Sequence, residues 1–270
     1  MSLHGRSEGR NYRSAQRGGY LMSLQHRAVR NRRRGLILLG LLAAMPWVAA
    51  AKPLMLHYQE RPPFSSTGPD GQPQGLLMEP IKRALARAGI DHRWSNTPSQ
   101  RQLALIQQGH GQDCGIGWFY TAERETLGRF SQPIYRNLPF QALVRSDRAI
   151  AAAPSAAALL ADASQPLLAK EGYSYGASID ALIQSQPAAV QRTSVESVPM
   201  ARMVAAGRAG WMLISPEESE PLLASLGTER AALRLVSLVG GERGPSRHLY
   251  CNLQVSAALI ARLDRALAER

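Results

Sequence analysis

The chain has 270 residues, 45% of them hydrophobic, with 32 Lys and Arg against 20 Asp and Glu and a formal net charge of +12. That charge suggests a polyanion binder until it is located: residues 1 to 51 hold nine arginines and one acid, Glu8, which leaves only +4 for residues 52 to 270. So small and dispersed a charge excludes nucleic acid as a partner.

In chain order, Arg27, Arg30 and Arg32 to Arg34 precede the apolar run from Gly35 to Ala44, and Ala49 to Ala51 follow it. This is the order of basic region, hydrophobic region and small-residue cleavage site in a signal peptide. The apolar stretch is about 10 residues, half of the roughly 20 that a membrane-spanning helix needs. Residues 1–51 therefore read as a leader cleaved after Ala51, with export to the periplasm, rather than as an anchor. Met22 heads a leader of ordinary length, so translation starts at Met1 or Met22. No cysteine follows the apolar run to carry a lipid. Outside the cytoplasm Cys114 and Cys251 are free to pair, although spacing alone equally allows two buried thiols.

The remaining residues alternate short apolar runs with helix-period stretches, the pattern of an α/β fold. Residues 53–58 predict a strand and Gly68 to Gly71 a turn. Leu77, Ile81, Ala84, Leu85 and Ala88 recur at helical spacing up to Gly89. Trp94 sits in a second strand, 98–108 form a helix ended by Gly109, and 113–120 make a third strand running into a loop. After a strand at 140–144 comes an Ala-rich segment, 149–163, with helix formers but few large anchors. The pattern then restarts, with strands at 167–170, 192–195, 211–214 and 233–238 and helices at 178–184, 198–206 and 217–226. A strand at 249–255 and a helix at 257–268 end the chain. Met200, Met203 and Met212 read as core filler.

Several phrases in order, Glu60-Arg-Pro-Pro-Phe64, Asp70-Gly71, Gln74-Gly75, Gly109-x-Gly-x-Asp-Cys114, Thr121-Ala-Glu-Arg124 and Phe130-Ser-Gln-Pro-Ile-Tyr135, resemble the family 3 solute-binding proteins of ABC importers. The resemblance covers most of residues 52–145 and is weaker beyond. It implies an α/β, two-lobed type II periplasmic binding fold with a cleft between the lobes. Lobe one would take residues 52–142, lobe two 143–246, and 247–270 would return to lobe one, with crossings near Asn137 to Leu143 and Arg243 to Tyr250. On that reading both cysteines fall in one lobe, each at a strand, and the resemblance implies a Cys114–Cys251 disulfide.

Ligands of open α/β sheets bind at the carboxyl ends of strands, where loops and helix N-termini gather. Four such segments stand out. Tyr58 to Phe64 offers Phe64 as an apolar wall or as core. Gly117-Trp118-Phe119-Tyr120 precedes Thr121 and Arg124, and the resemblance makes Arg124 the planar fork for a ligand carboxylate. Aromatic bulk before Thr121 departs from the amino-acid binders and reads as a stacking wall for a larger, flat or apolar ligand, or as core. Tyr173 and Ser174 resemble the family's Gly-hydroxyl loop, with an ordinary helix cap as the other reading. Ser215 occupies the position where amino-acid binders tend to carry an acid for the ligand ammonium, which puts recognition of an α-ammonium in doubt; Glu217 and Glu218 behind it suit a helix dipole.

His57, His92, His110 and His248 belong to no metal or nucleophile motif, so neither metal nor cofactor is expected. The expected function is capture of a small polar, carboxylate-bearing, amino-acid-like ligand by a monomer that delivers it to a membrane ABC permease. The alternatives are a periplasmic lyase or dehydratase using Glu60, Glu171 or Glu217, and a ligand sensor without transport.

Overall fold

A computed structural model describes residues 52–240 and 244–269. The expected leader, its cleavage point, the choice between Met1 and Met22, and Arg243 of the second crossing lie outside these residues.

The first half comprises β1 (Leu54–Tyr58), the hairpin of β2 (Ser66–Thr67) and β3 (Pro73–Gln74), α1 (Met78–Ala88), β4 (His92–Asn96), α2 (Ser99–Gln108), β5 (Asp113–Phe119), α3 (Ala122–Leu127), β6 (Gly128–Phe130) and β7 (Tyr135–Arg136). The second comprises β8 (Gln141–Arg145), α4 (Ala156–Leu160), β9 (Leu167–Lys170), α5 (Ala177–Ser185), β10 (Val190–Thr193), α6 (Ser197–Ala205), β11 (Trp211–Ile214), α7 (Pro216–Ser225) and β12 (Leu233–Ser237). Then β13 (Ser246–Asn252) and α8 (Ala257–Ala268) complete the chain.

These elements build a two-lobed α/β architecture. One sheet runs β4-β1-β5-β13-β6, with β7 on β13; the other runs β10-β9-β11-β8-β12. The chain leaves the first sheet after Arg136, enters the second at Gln141, and rejoins the first at Ser246. Helix α1 follows from its apolar spacing: Met78, Ile81, Ala84 and Leu85 are buried, and Gly89 closes the helix in the left-handed conformation. Its buried face meets α8. Each large side chain so buried contributes about 1.5–3 kcal/mol.

In β11 the apolar run is continuous because both faces are covered. Trp211 and Leu213 pack into one core of the second lobe, Met212 and Ile214 into the other. Met200 lies in that second core with Met203 against it.

Residues 149–163 yield only α4, capped by Ser155, because Leu159 and Leu160 are the large buried anchors there. Helix α3 and the short β6 and β7 have no period to read. Strand β13 begins at Ser246 rather than at 249, because its first turn of pairing carries Arg247 and His248, charged or polar residues that do not look like a buried strand.

Cys114 and Cys251 are disulfide-bonded. They face each other directly across the antiparallel pair β5 and β13.

Candidate functional site

Where the carboxyl ends of β1, β5 and β9 meet, a cavity of about 40 Å³ lies between the lobes. Gln59 and Arg61 reach it from the loop after β1, Ser99 and Gln102 from the start of α2, and Gly117, Trp118 and Phe119 from the end of β5. Arg124 enters from α3, Tyr173 and Ser174 from the loop after β9, and Arg247 from β13.

The end of β5 is shaped by a bulge. Trp118 pairs with His248 and Ile116 with Leu249, so Gly117 is the extra residue between them. Its φ of +83° is one that glycine adopts freely, and a Cβ there would stand 2.6 Å from Leu77 Cδ1. The bulge turns the Gly117 carbonyl toward Arg247, whose Nη1 donates to it at 3.0 Å. Trp118 is fixed through Nε1, which donates to Gln102 Oε1 at 3.0 Å; Gln102 in turn donates to the Thr97 carbonyl.

Arg124 is buried. Its Nη1 donates to the Phe119 carbonyl at 2.7 Å and its Nη2 to the Gly172 carbonyl of the other lobe at 2.6 Å, while Cζ lies 4.7 Å from the Trp118 ring centre. Burial lowers its pKa, and the nearby Tyr250 and Asp180 only partly offset this. No carboxylate pairs with Arg124 among the described residues.

Arg61 is different, because it meets an acid across the lobe boundary. Its Nε and Nη2 each donate at 2.6 Å to one oxygen of Glu218, a two-point pair in which Glu218 is buried. Burial alone opposes the Arg61 charge, yet Glu218 outweighs it and raises the pKa. Further ties join the lobes. Gln59 donates to the Tyr173 hydroxyl at 2.8 Å, Asn137 to Ser215 Oγ at 2.7 Å, and the Tyr135 hydroxyl to Glu217 at 3.0 Å. A cavity this small has room for about three waters.

Of the sequence-predicted contacts, Gly117, Trp118, Phe119, Arg124, Tyr173 and Ser174 line this one cavity. Four others do not. Tyr58 is core, its hydroxyl bonded to Thr67. Phe64 is also core, but its ring lies 3.9 Å under the Arg247 guanidinium. Thr121 caps α3, accepting from the Arg124 amide. Ser215 is fully buried in the capping box of α7, with Glu218 as its partner. Both hydroxyls sit at helix N-caps, and that of Ser215 also accepts from Asn137. Sequence reading missed Gln59, Arg61, Ser99, Gln102, Ile116 and Arg247. Arg61 stood inside a singled-out phrase; the neutral polar residues carry no pattern.

Comparison with known proteins agrees with this architecture. The sequence model of the bacterial extracellular solute-binding proteins, family 3, matches residues 55–269. No curated protein matches the chain. Among solved structures, an ancestral arginine-binding protein bound to arginine is similar at 15% identity and a TM-score of 0.62, over 80% of this chain and 91% of that one. A structure from a study of glutathione import via GshT and the cystine ABC importer TcyBC of Streptococcus mutans is similar at 17% identity and a TM-score of 0.64, over 80% and 88%. A histidine kinase sensor domain with similarity to periplasmic binding proteins is similar at 16% identity and a TM-score of 0.63, over 81% and 90%.

Proposed function

The chain belongs to the bacterial extracellular solute-binding proteins of family 3, and on that premise we propose that it captures a small carboxylate-bearing solute in the periplasm for an ABC importer. Arg124 carries this reading. A buried guanidinium with no ion-pair partner among the described residues lines the cavity between the lobes and keeps donors beyond the two its carbonyl partners use. A carboxylate placed there satisfies the fork and restores the charge balance that burial disturbs.

The two lobes, 52–142 with 247–270 and 143–246, then close on the solute because it touches both, shifting an open–closed population. Glu60, Glu171 and Glu217 are absent from the lining of this cavity. Glu217 already accepts from Tyr135 and from the Leu138 amide. This supports capture over proton transfer, since a general acid or base must reach the reacting atom.

The test is a thermal-shift screen of amino acids and organic acids, followed by calorimetric titration of each hit. Arg124→Met keeps apolar bulk beside Trp118 and removes the fork. Affinity for a carboxylate solute is expected to fall about ten- to hundredfold, the worth of charge-assisted hydrogen bonds at roughly 1.5–3 kcal/mol. Unchanged affinity for every acidic hit removes Arg124 from the site and the proposal with it.

A further inference from the structure

Arg247 has a geometry that nothing so far described uses. Its Nε donates to Asn137 Oδ1 at 2.7 Å and its Nη1 to the Gly117 carbonyl at 3.0 Å. The guanidinium lies 3.9 Å from the Phe64 ring centre and 4.8 Å from that of Phe119. Two bonds and two rings thus hold the plane of the cation, which leaves one edge undirected. That edge is Nη2, which is buried and has no hydrogen-bond partner among the described residues, on a side chain that is 4% exposed and lines the cavity. A buried guanidinium edge left unbonded is costly, so it calls for a polar partner. Burial, and then the neighbouring Arg61, push the Arg247 pKa down to about 9, the direction expected of a cation short of an anion.

Arg247 does not stand alone. Its Nη1 bonds the carbonyl of Gly117, and Arg124 Nη1 bonds the carbonyl of Phe119, two residues further along β5. Both guanidiniums are thus anchored to the last residues of β5 and line the same cavity. Of the three arginines lining the cavity, only Arg61 has a carboxylate partner, Glu218. No Asp or Glu lines the cavity itself. An α-ammonium placed there finds no carboxylate in the cavity wall, and Glu218 is already paired with Arg61.

We infer that the captured solute carries two anionic groups, one held by Arg124 and the other by the free edge of Arg247, and that short-chain dicarboxylates are preferred over zwitterionic or cationic amino acids. This rests on the cleft being the capture site proposed above and names the solute class for it.

Calorimetric titration of the purified protein with succinate, glutarate and glutamate, each against its monoamide (glutamine for glutamate), and with arginine, tests it. At least one diacid is expected to bind tenfold or more tightly than its monoamide, with arginine weakest. Arg247→Met, which keeps the apolar stem between Phe64 and Phe119, is expected to reduce that diacid-to-monoamide ratio at least tenfold, and Arg247→Lys to retain part of it. Equal affinities for acid and monoamide, or a ratio untouched in Arg247→Met, overturn the inference. If Arg247→Met fails to fold, the wild-type ratio decides: below about threefold, the inference fails. The two proposals separate cleanly. Arg124-dependent binding of monocarboxylates with no diacid preference sinks this inference alone, whereas no binding of any carboxylate sinks both.

Discussion

Glu218→Gln is expected to open the cleft and to lower the melting temperature. The substitution keeps the shape of the side chain but leaves the Arg61 guanidinium, tied to it by two 2.6 Å hydrogen bonds, buried without a counter-charge. Removing one partner of a buried ion pair costs about 3–5 kcal/mol because the other charge is stranded. Here the two partners sit on different lobes, so separation of the lobes relieves part of that cost by letting water reach Arg61. The effect therefore divides between a larger radius of gyration in small-angle scattering and an earlier thermal transition. Replacing both members with apolar residues, Arg61→Met with Glu218→Leu, is expected to recover most of the stability, since a well-packed apolar pair is often neutral or better than a buried salt bridge. The double-mutant cycle isolates the coupling. A Glu218→Gln protein with unchanged dimensions and an unchanged transition shows that the pair does not hold the lobes together.

The same pair sets a pH dependence with a definite sign. Burial on its own raises the Glu218 pKa, and the charge and hydrogen bonds of Arg61 more than reverse this, so the carboxyl ends below its usual range. In an open form without the pair it returns to the ordinary glutamate range. The contribution to closure is therefore present above that range and is lost as pH falls through the lower, closed-form value. Scattering across that acid window reads the opening directly, and Glu218→Gln flattens it.

Loss of the Cys114–Cys251 disulfide is the second large effect. The cysteines are 137 residues apart in sequence. Closing a loop of that length removes unfolded-state entropy worth about 5 kcal/mol in the chain-entropy description, and measured losses of native disulfides run to roughly 2–5 kcal/mol. The bond also ties the returning strand β13, and with it Arg247, to β5 beside the cavity. The double variant Cys114→Ala with Cys251→Ala is expected to melt roughly 5–15 °C below the wild type, given about 2–4 °C per kcal/mol for a domain of this size. Calorimetry under oxidising and reducing conditions checks it. Both cysteines are fully buried, so reductant is expected to act only as the protein opens. A variant melting within roughly 2 °C of the wild type means that the loop constraint is not what stabilises the fold.

Residues with a strong period were legible in advance. The strands at 167–170 and 211–214 and the helix at 257–268 coincide with β9, β11 and α8, because a continuous apolar run or a three-four spacing has one way to bury itself. The end of β5 and Arg124 were legible from their place after a strand. Thr121 and Ser215 were legible as hydroxyls at the ends of strands, yet what such a hydroxyl faces depends on the turn that follows: Thr121 accepts from the Arg124 amide and Ser215 from the Asn137 side chain. Arg247 was hidden because an arginine at the head of a strand reads as solvated loop.

By itself the amino-acid order determined the alternation of strands and helices, the basic N-terminal segment apart from a nearly balanced remainder, and the chemistry available at each strand end. Tertiary structure alone decided which charges meet. Glu218 reaches Arg61 across 157 residues and Arg247 reaches Gly117 across 130, so neither contact lies within the range of a local pattern. The physical reason is that secondary structure follows from short-range periodicity, whereas a buried charge is defined by its counter-charge and its desolvation, and both exist only once distant strands have been laid side by side.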